Sequence, residues 1–471
     1  MDEDQKPRPS PIEGLSVELV RMILSALPDV TSLQSAVLSC PLLYCAFSKA
    51  DGAIVADVLL NQVDVSVLPE VIAASESSRL HLHDTEPQSR EAIDHSVARN
   101  LRQRPTTPKF LSLKEVLSLE RFHSCVEQLA RQFVEVALTE RPALHSGSGT
   151  TWHEICRIQR ALYRFEIYCN IFREGPNVPS TIYQEQKQLY LANFAPWEHE
   201  QLGCIHDFLV RAVSPAFNDV VEHDIKWGAG GVPYGDSIDS PYIQDVLPLG
   251  LEKLHQIATT ETYRERERFL CPGYSPRWTY SFLYEVFRNA NERWTDSVLD
   301  TLLLEDLTFT DELLCIKQPF FTDPDSGPID VWRWAHHEES WHHWVYQENY
   351  RDLRKWGYVM WDRFRLEAIG IFQDPWEETD DSEQSLLEEQ EVQRERAYLQ
   401  NSQDQRERLH SLGGTGWWCL VDGDKVRWEH GKPPAQRPSD GVEFVNYDLN
   451  PQSLQEAQEM LSMVKFSSRI T

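Results

Sequence analysis

Basic charge is scarce in this chain: 45 lysines and arginines stand against 74 acidic residues in 471 positions, a formal net charge of −29. A field of that sign meets phosphate backbones and anionic lipid surfaces with repulsion, and no run is basic enough to reverse it locally, so neither nucleic acid nor membrane is an expected partner. Long apolar runs are missing as well; none approaches the roughly 18 to 20 uncharged residues that a bilayer span takes. The N-terminus, MDEDQKPRPSP, is polar and proline-rich and has no apolar leader core. Nine cysteines, an odd number, stand at positions 40, 45, 125, 156, 169, 204, 271, 315 and 419, and no two make a CxxC pair. That argues against zinc fingers and a disulfide framework and for reduced thiols. Together these absences lead us to expect a soluble cytoplasmic or nuclear protein. No repeat of fixed period marks a solenoid or a leucine-rich, WD-type or kelch reader.

What is present is ordinary globular material, 41% hydrophobic and 11% aromatic, enough for two or three domains. Its most informative stretch runs from Leu15 to Leu60. Leu15, Leu19, Ile23 and Leu27 recur every four residues, with Val20 and Leu24 beside them, so an amphipathic helix is expected from Val17 to Leu27. Ser16 can cap it, without a capping box because Leu19 stands three residues on. Pro28 ends it, and Asp29 and Thr31 offer caps to a second helix carrying Leu33, Val37 and Leu38. Pro41 breaks that helix, and Tyr44, Phe47, Ile54 and Val58 supply a third. Three short helices in about forty-five residues lie near the lower limit of independent folding, so the module needs a partner surface or the rest of the chain.

The order Leu15-Ser16-Val17-Glu18-Leu19, then Ile23-Leu24, Leu27, Asp29, Leu33 and Val37-Leu38-Ser39-Cys40, resembles an F-box. Such families begin with Leu-Pro-x-Glu-Leu and close on a Trp-containing helix. Here Ser16 replaces the proline, and Pro41 to Phe47 has aromatics but no Trp, departures similar to those of divergent fungal F-box-like proteins. The resemblance covers about a tenth of the chain. It implies helix-in-groove docking on a Skp-type adaptor protein, which links the chain to a cullin ligase scaffold while the helical domain recruits an unknown protein substrate. Leu15, Glu18, Leu19, Ile23, Leu27, Leu33, Val37 and Leu38 are the positions the resemblance implies for making or presenting that contact. The same leucines could instead fill the core of the N-terminal lobe, and spacing does not divide the two roles.

The expected fold is mainly α: a three-helix F-box-like module (11–62), a linker or loosely ordered connection (63–109, with HLHDTEPQSR and RQRPTTP), an all-α helical domain (110–374), an acidic, charged linker or solvated helix (375–412), and a small C-terminal α+β appendage (413–471). Within the helical domain, Val126, Leu129, Phe133 and Ala137 mark one helix, and Trp152 to Phe172 a second. A helix pair kinked at Pro215 and a helix starting near Pro241 follow, then candidates at 278–294, 295–304 and Val331 to Tyr358. In the appendage, Asp422-Gly423 between two aromatic, β-branched runs signals a hairpin, with a final helix near Leu454 to Val464.

Candidate chemistry is richest at Trp332 to Trp344, where His336, His337, His342 and His343 accompany Glu338 and Glu339. A metal is the sharp reading, but helical zinc pairs use i and i+4, whereas His336 and His343 are seven apart. The plainer reading is a helix with tryptophans packed inward and histidines along the solvent edge. Gly228 to Asp236, GAGGVPYGD, follows a helix end, lacks the Walker lysine and does not fit GxGxxG, so it reads as a loop. His153, Glu154 and Cys156, the set Glu198, His199, Glu200 and His206, and the pair Glu222 and His223 could serve as acid–base groups. No spacing joins a nucleophile to a base and its orienter, so no catalytic residue, metal ligand or cofactor is assigned. An adaptor is favoured over an enzyme housed in the helical body, with a scaffold free of ubiquitin chemistry as a third reading.

Overall fold

Ser16 and Asp29 set the first two helices. The Ser16 hydroxyl accepts from the Leu19 N–H at 3.4 Å, opening α1 (Val17–Ser25), and Asp29 accepts from the Ser32 N–H at 2.6 Å, opening α2 (Val30–Ser39). In this computed structural model the described residues are 11–78, 98–107, 112–145, 149–172, 190–191, 194–232, 240–270, 283, 286–287, 302–308, 310–311, 316, 318–339, 346–377, 400–419, 425–428 and 431. Pro41 begins α3 (Pro41–Ser48), because proline lacks only an N–H that a first helical residue leaves unpaired anyway. The third helix expected from the sequence is two: the chain turns at Lys49 and Ala50 into α4 (Asp51–Gln62). The N-terminal module therefore has four helices, not three.

The linker expected over 63–109 is corrected in its first part. Residues 68–77 form α5 (Leu68–Ser77), which buries Leu68, Val71, Ala73 and Ala74 together with Glu70. Apolar residues at 67, 68 and 71 give this short segment a face to pack, and Arg104, from the RQRPTTP stretch, is pinned to Glu70 at 2.8 Å. HLHDTEPQSR lies outside the described residues.

Three long helices make the body. A capping box of Ser112 and Glu115 opens α6 (Leu113–Glu140), and α7 (Trp152–Phe172) and α8 (Pro196–His223) follow. Against expectation, Pro215 lies inside one continuous α8. It offers no N–H to the Arg211 carbonyl, but Val213, Ala216 and Phe217 on both sides are buried, and that packing carries the helix across the gap. Shorter helices complete the body: α9 (Ile225–Ala229), α10 (Pro241–Val246), α11 (Leu251–Thr259), α12 (Tyr263–Phe269), α13 (Gly327–Ala335), α14 (Arg351–Lys355) and α15 (Arg363–Ala368). The single helix expected from Val331 to Tyr358 is thus broken, because His336 leaves helical geometry and turns inward. Helix α5 packs on α7, α7 on α8, and α8 on α11; α2 and α4 pack on α6. One apolar core runs without a break from Val20 in α1 to Ile371 beyond α15.

Residues 400–411 form α16, and Gly414–Thr415 (β1) pairs antiparallel with Arg427–Trp428 (β2), Gly414 opposite Trp428. An antiparallel strand pair thus flanks Asp422-Gly423 as expected, but its first strand precedes the aromatic run, where Trp417 bridges Asp224 instead; the turn itself, residues 378–399, the helix near 454–464 and most of 278–304 lie outside the described residues. The fold is mainly α, as expected. Among the described residues no helix is long and apolar enough to cross a membrane.

Candidate docking face

The eight positions implied by the F-box resemblance separate into two groups. Leu33 (0% exposed) and Val37 (4%) are core residues, and Leu15 and Leu27 are half-buried against that core. Leu19 (47%), Ile23 (45%) and Leu38 (75%) stand in solvent. Glu18 is exposed too, and a backbone N–H and the Ser16 hydroxyl hold its carboxyl below the usual carboxylate range. Leu19, Met22 and Ile23 share one face of α1 at i, i+3 and i+4. Met22 on that face, and Val17 and Tyr44 elsewhere on the module, are further exposed apolar side chains that the sequence reading did not assign to docking. Of the ten large apolar side chains left exposed among the described residues, six belong to α1, α2 and α3. Single exposed leucines need no explanation, but this concentration on one small module does.

The framework under that face is specific. Arg21 on α1 donates from Nε to the Ala46 carbonyl on α3 at 3.2 Å. Asn61 at the end of α4 donates to the carbonyls of Ser25 (2.8 Å) and Leu27 (2.9 Å), fixing the turn between α1 and α2. Thr31 Oγ1 ties the module to the body through Glu120 at 2.8 Å, and just past its end Trp152 Nε1 donates to Asp64 at 2.9 Å. Burial alone would raise the Asp64 carboxyl; hydrogen bonds from Ser66 and Trp152 outweigh it and hold it low.

The polar groups considered for catalysis are distributed among separate structural duties. His336 is wholly buried, not at a solvent edge: its Nδ1 lies 2.9 Å from Glu339, and its ring stacks on Trp332. Glu154 is buried in a bidentate pair with Arg365 at 2.7 and 2.9 Å, His153 is exposed, and burial pushes the Cys156 thiol up to about 11. Glu198 pairs with Arg164, His199 Nε2 meets the Leu191 carbonyl at 2.7 Å, and Glu200 accepts from the Tyr346 N–H. His206 lies between Asp207 and Gln244. His223 sits at the far end of α8 against Asp219. His342 and His343 lie outside the described residues, and among those described no group of three or more His, Cys, Asp or Glu is arranged to hold a metal ion.

What the sequence reading missed is the ionic interior. Arg157, Arg160 and Arg164 line one side of α7, all buried, and meet Asp323, Asp362, Glu70 and Glu198 at 2.8 to 3.2 Å. Asp323 also lines a cleft of about 420 Å³, with Trp197, Ile316, Phe321, Asp325 and Arg333. Both Asp323 oxygens are engaged by Arg157 and Arg160, so there this carboxylate braces a wall. No family model matches the chain, and neither a curated protein nor a solved structure does.

Proposed function

We propose that the chain is an F-box-type substrate adaptor: the N-terminal module docks on a Skp-type adaptor of a cullin-RING ubiquitin ligase, and the helical domain recruits a protein substrate. The observation that supports this reading is the division of apolar residues on the module. Val20, Leu24, Leu33, Val37 and Phe47 are consumed by the core, yet Leu19, Met22, Ile23, Leu38 and Tyr44 remain outside. A small module that merely folded would gain by hiding such side chains or replacing them with polar ones. An apolar helix face with i, i+3 and i+4 anchors is what a helix-lined groove receives.

The test is co-purification of the full chain with a Skp-type adaptor, beside an F-box protein of established binding. Retention of the chain is the expected result, and its loss on replacing Leu19 and Ile23 by aspartate follows from desolvating an unpaired charge, a cost on the order of several kcal/mol. Failure of the wild-type chain to bind, while the control binds, overturns the reading. The enzyme reading needs a gathering of polar groups at one open point.

A further inference from the structure

Helix α8 ends at His223; Val220 still receives the Asp224 N–H at 2.8 Å, but the carbonyls after it have no donor within the helix. They are met by a side chain from almost two hundred residues further along. Arg406 of α16 is 1% exposed; its Nη1 donates to the carbonyls of Val221 and of Asp224, the latter at 3.2 Å, and its Nε to Ser402. A guanidinium at a helix C-terminus also meets the negative end of the helix dipole. The receiving end is rigid, because Asp224 itself caps the Trp227 N–H (2.9 Å) and accepts from the Tyr263 hydroxyl (2.7 Å). The fit is close enough to require Gly228: a Cβ there would lie 2.5 Å from Arg406 Nε and 2.8 Å from its Cβ.

The following residues add a second fastening. Ile225 donates its N–H to the Gly416 carbonyl (3.0 Å) and Trp418 to the His223 carbonyl (2.8 Å). The Trp417 ring lies parallel to His223 at 5.1 Å, with the Lys425 ammonium 4.2 Å from the same ring. Beneath it Ile225, Trp418 and Val426 form a small apolar cluster of their own, joined by Leu409 and Trp428, and separate from the main core.

We propose that the end of α8 is a guanidinium-binding site filled in cis by Arg406, and that residues 400–419 and 425–428 are a strap that lifts from it as a unit while the helical body stays folded. Among the described residues the buried apolar side chains of this segment cluster apart from the main core, so it can leave without opening that core, which is the condition for a sub-global opening. Lifting exposes the Val221 carbonyl and Ile225, while the Asp224 carbonyl keeps the Gly228 N–H at 2.9 Å.

Native-state hydrogen exchange of the full chain tests this. The amides of Ile225 and Trp418 are expected to exchange at least about tenfold faster than those of Phe208 and Leu209 in the middle of α8. In R406A, exchange at Ile225 and Trp418 rises by about tenfold again while Phe208 and Leu209 are unchanged, and G228A reproduces that pattern. One common rate for both regions in the wild-type chain overturns the proposal, as does an R406A chain in which both regions accelerate equally or the strap amides do not change. Should R406A fail to fold, the wild-type comparison and G228A decide the matter.

Discussion

Nδ1 of His123 on α6 lies 2.8 Å from the Tyr163 hydroxyl on α7, the two rings nearly parallel, with both residues enclosed in the body. Burial pushes the His123 imidazole down to about 4, from 6.5. Between those values the unfolded chain binds a proton that the folded chain refuses, so stability falls as pH falls through the window. The loss reaches roughly 3 kcal/mol by pH 4. Denaturant unfolding at pH 7 and pH 5 should show this slope, and H123Q, which keeps a hydrogen-bonding group and cannot titrate, should flatten it. An unchanged slope in H123Q would place the acid sensitivity elsewhere.

Glu70 presents the opposite protonation state. Burial opposes its charge, but Arg104 and Arg164 outweigh that and hold the carboxyl below its ordinary range. Its contribution is therefore present above the unfolded carboxylate value and lost as pH drops through the lower folded one. Glu70→Ala removes a fully buried carboxylate that two arginines share, leaving Arg164 to Glu198 and Arg104 to the Ser66 carbonyl, and should cost up to about 3 to 5 kcal/mol. Glu70→Gln should recover part of the loss through hydrogen bonds. The check is the urea midpoint of the three chains at pH 7.

Leu19 and Leu33 sit in one module and should behave as opposites. Leu33→Ala opens a cavity in the core and should destabilise the chain by about 2 to 5 kcal/mol. Leu19→Asp and Ile23→Asp change exposed positions and should leave the melting temperature within what about 0.5 kcal/mol produces. Adaptor binding should follow the reverse order, lost in the surface variants and retained by folded L33A. Thermal melts paired with co-purification separate the two roles.

Residues 11–62 expressed alone should not fold. Both α2 and α4 rest on α6, and the Thr31 hydroxyl reaches a partner at 120. Removing α6 exposes those faces in a domain already near the minimum size. Circular dichroism of the fragment should show little cooperative melting; a sharp transition would refute this dependence.

The helices were legible where one face is polar. The period of Val126, Leu129, Phe133 and Ala137 located α6, and Ser16 and Asp29 located the starts of α1 and α2. Helix α7 kept its interior hidden because Arg157, Arg160 and Arg164 look like a solvent face from sequence. Their partners stand at 70, 198, 323 and 362, too distant for any local pattern to announce. Likewise Leu19 and Leu33 carry the same side chain, and only the placement of α3 and α6 decides which one water reaches. Prolines were read rightly at one place and wrongly at another: Pro41 ends α2 and opens α3 at a first helical position, as local preference allows, whereas Pro215 fails to break α8 because packing overrules that preference there.

The Asn61 amide, bonded to Ser25 and Leu27, locks the α1–α2 turn to a helix that itself leans on α6. Nothing between the exposed face of α1 and the helical body is a hinge among these contacts. A protein gripped at Leu19 and Ile23 would therefore be held at one bearing, like a tool on a fixed handle. On the adaptor function proposed above, a substrate carried by the body would be presented at a set reach and angle, and geometry instead of diffusion on a tether would decide which of its surfaces come within range.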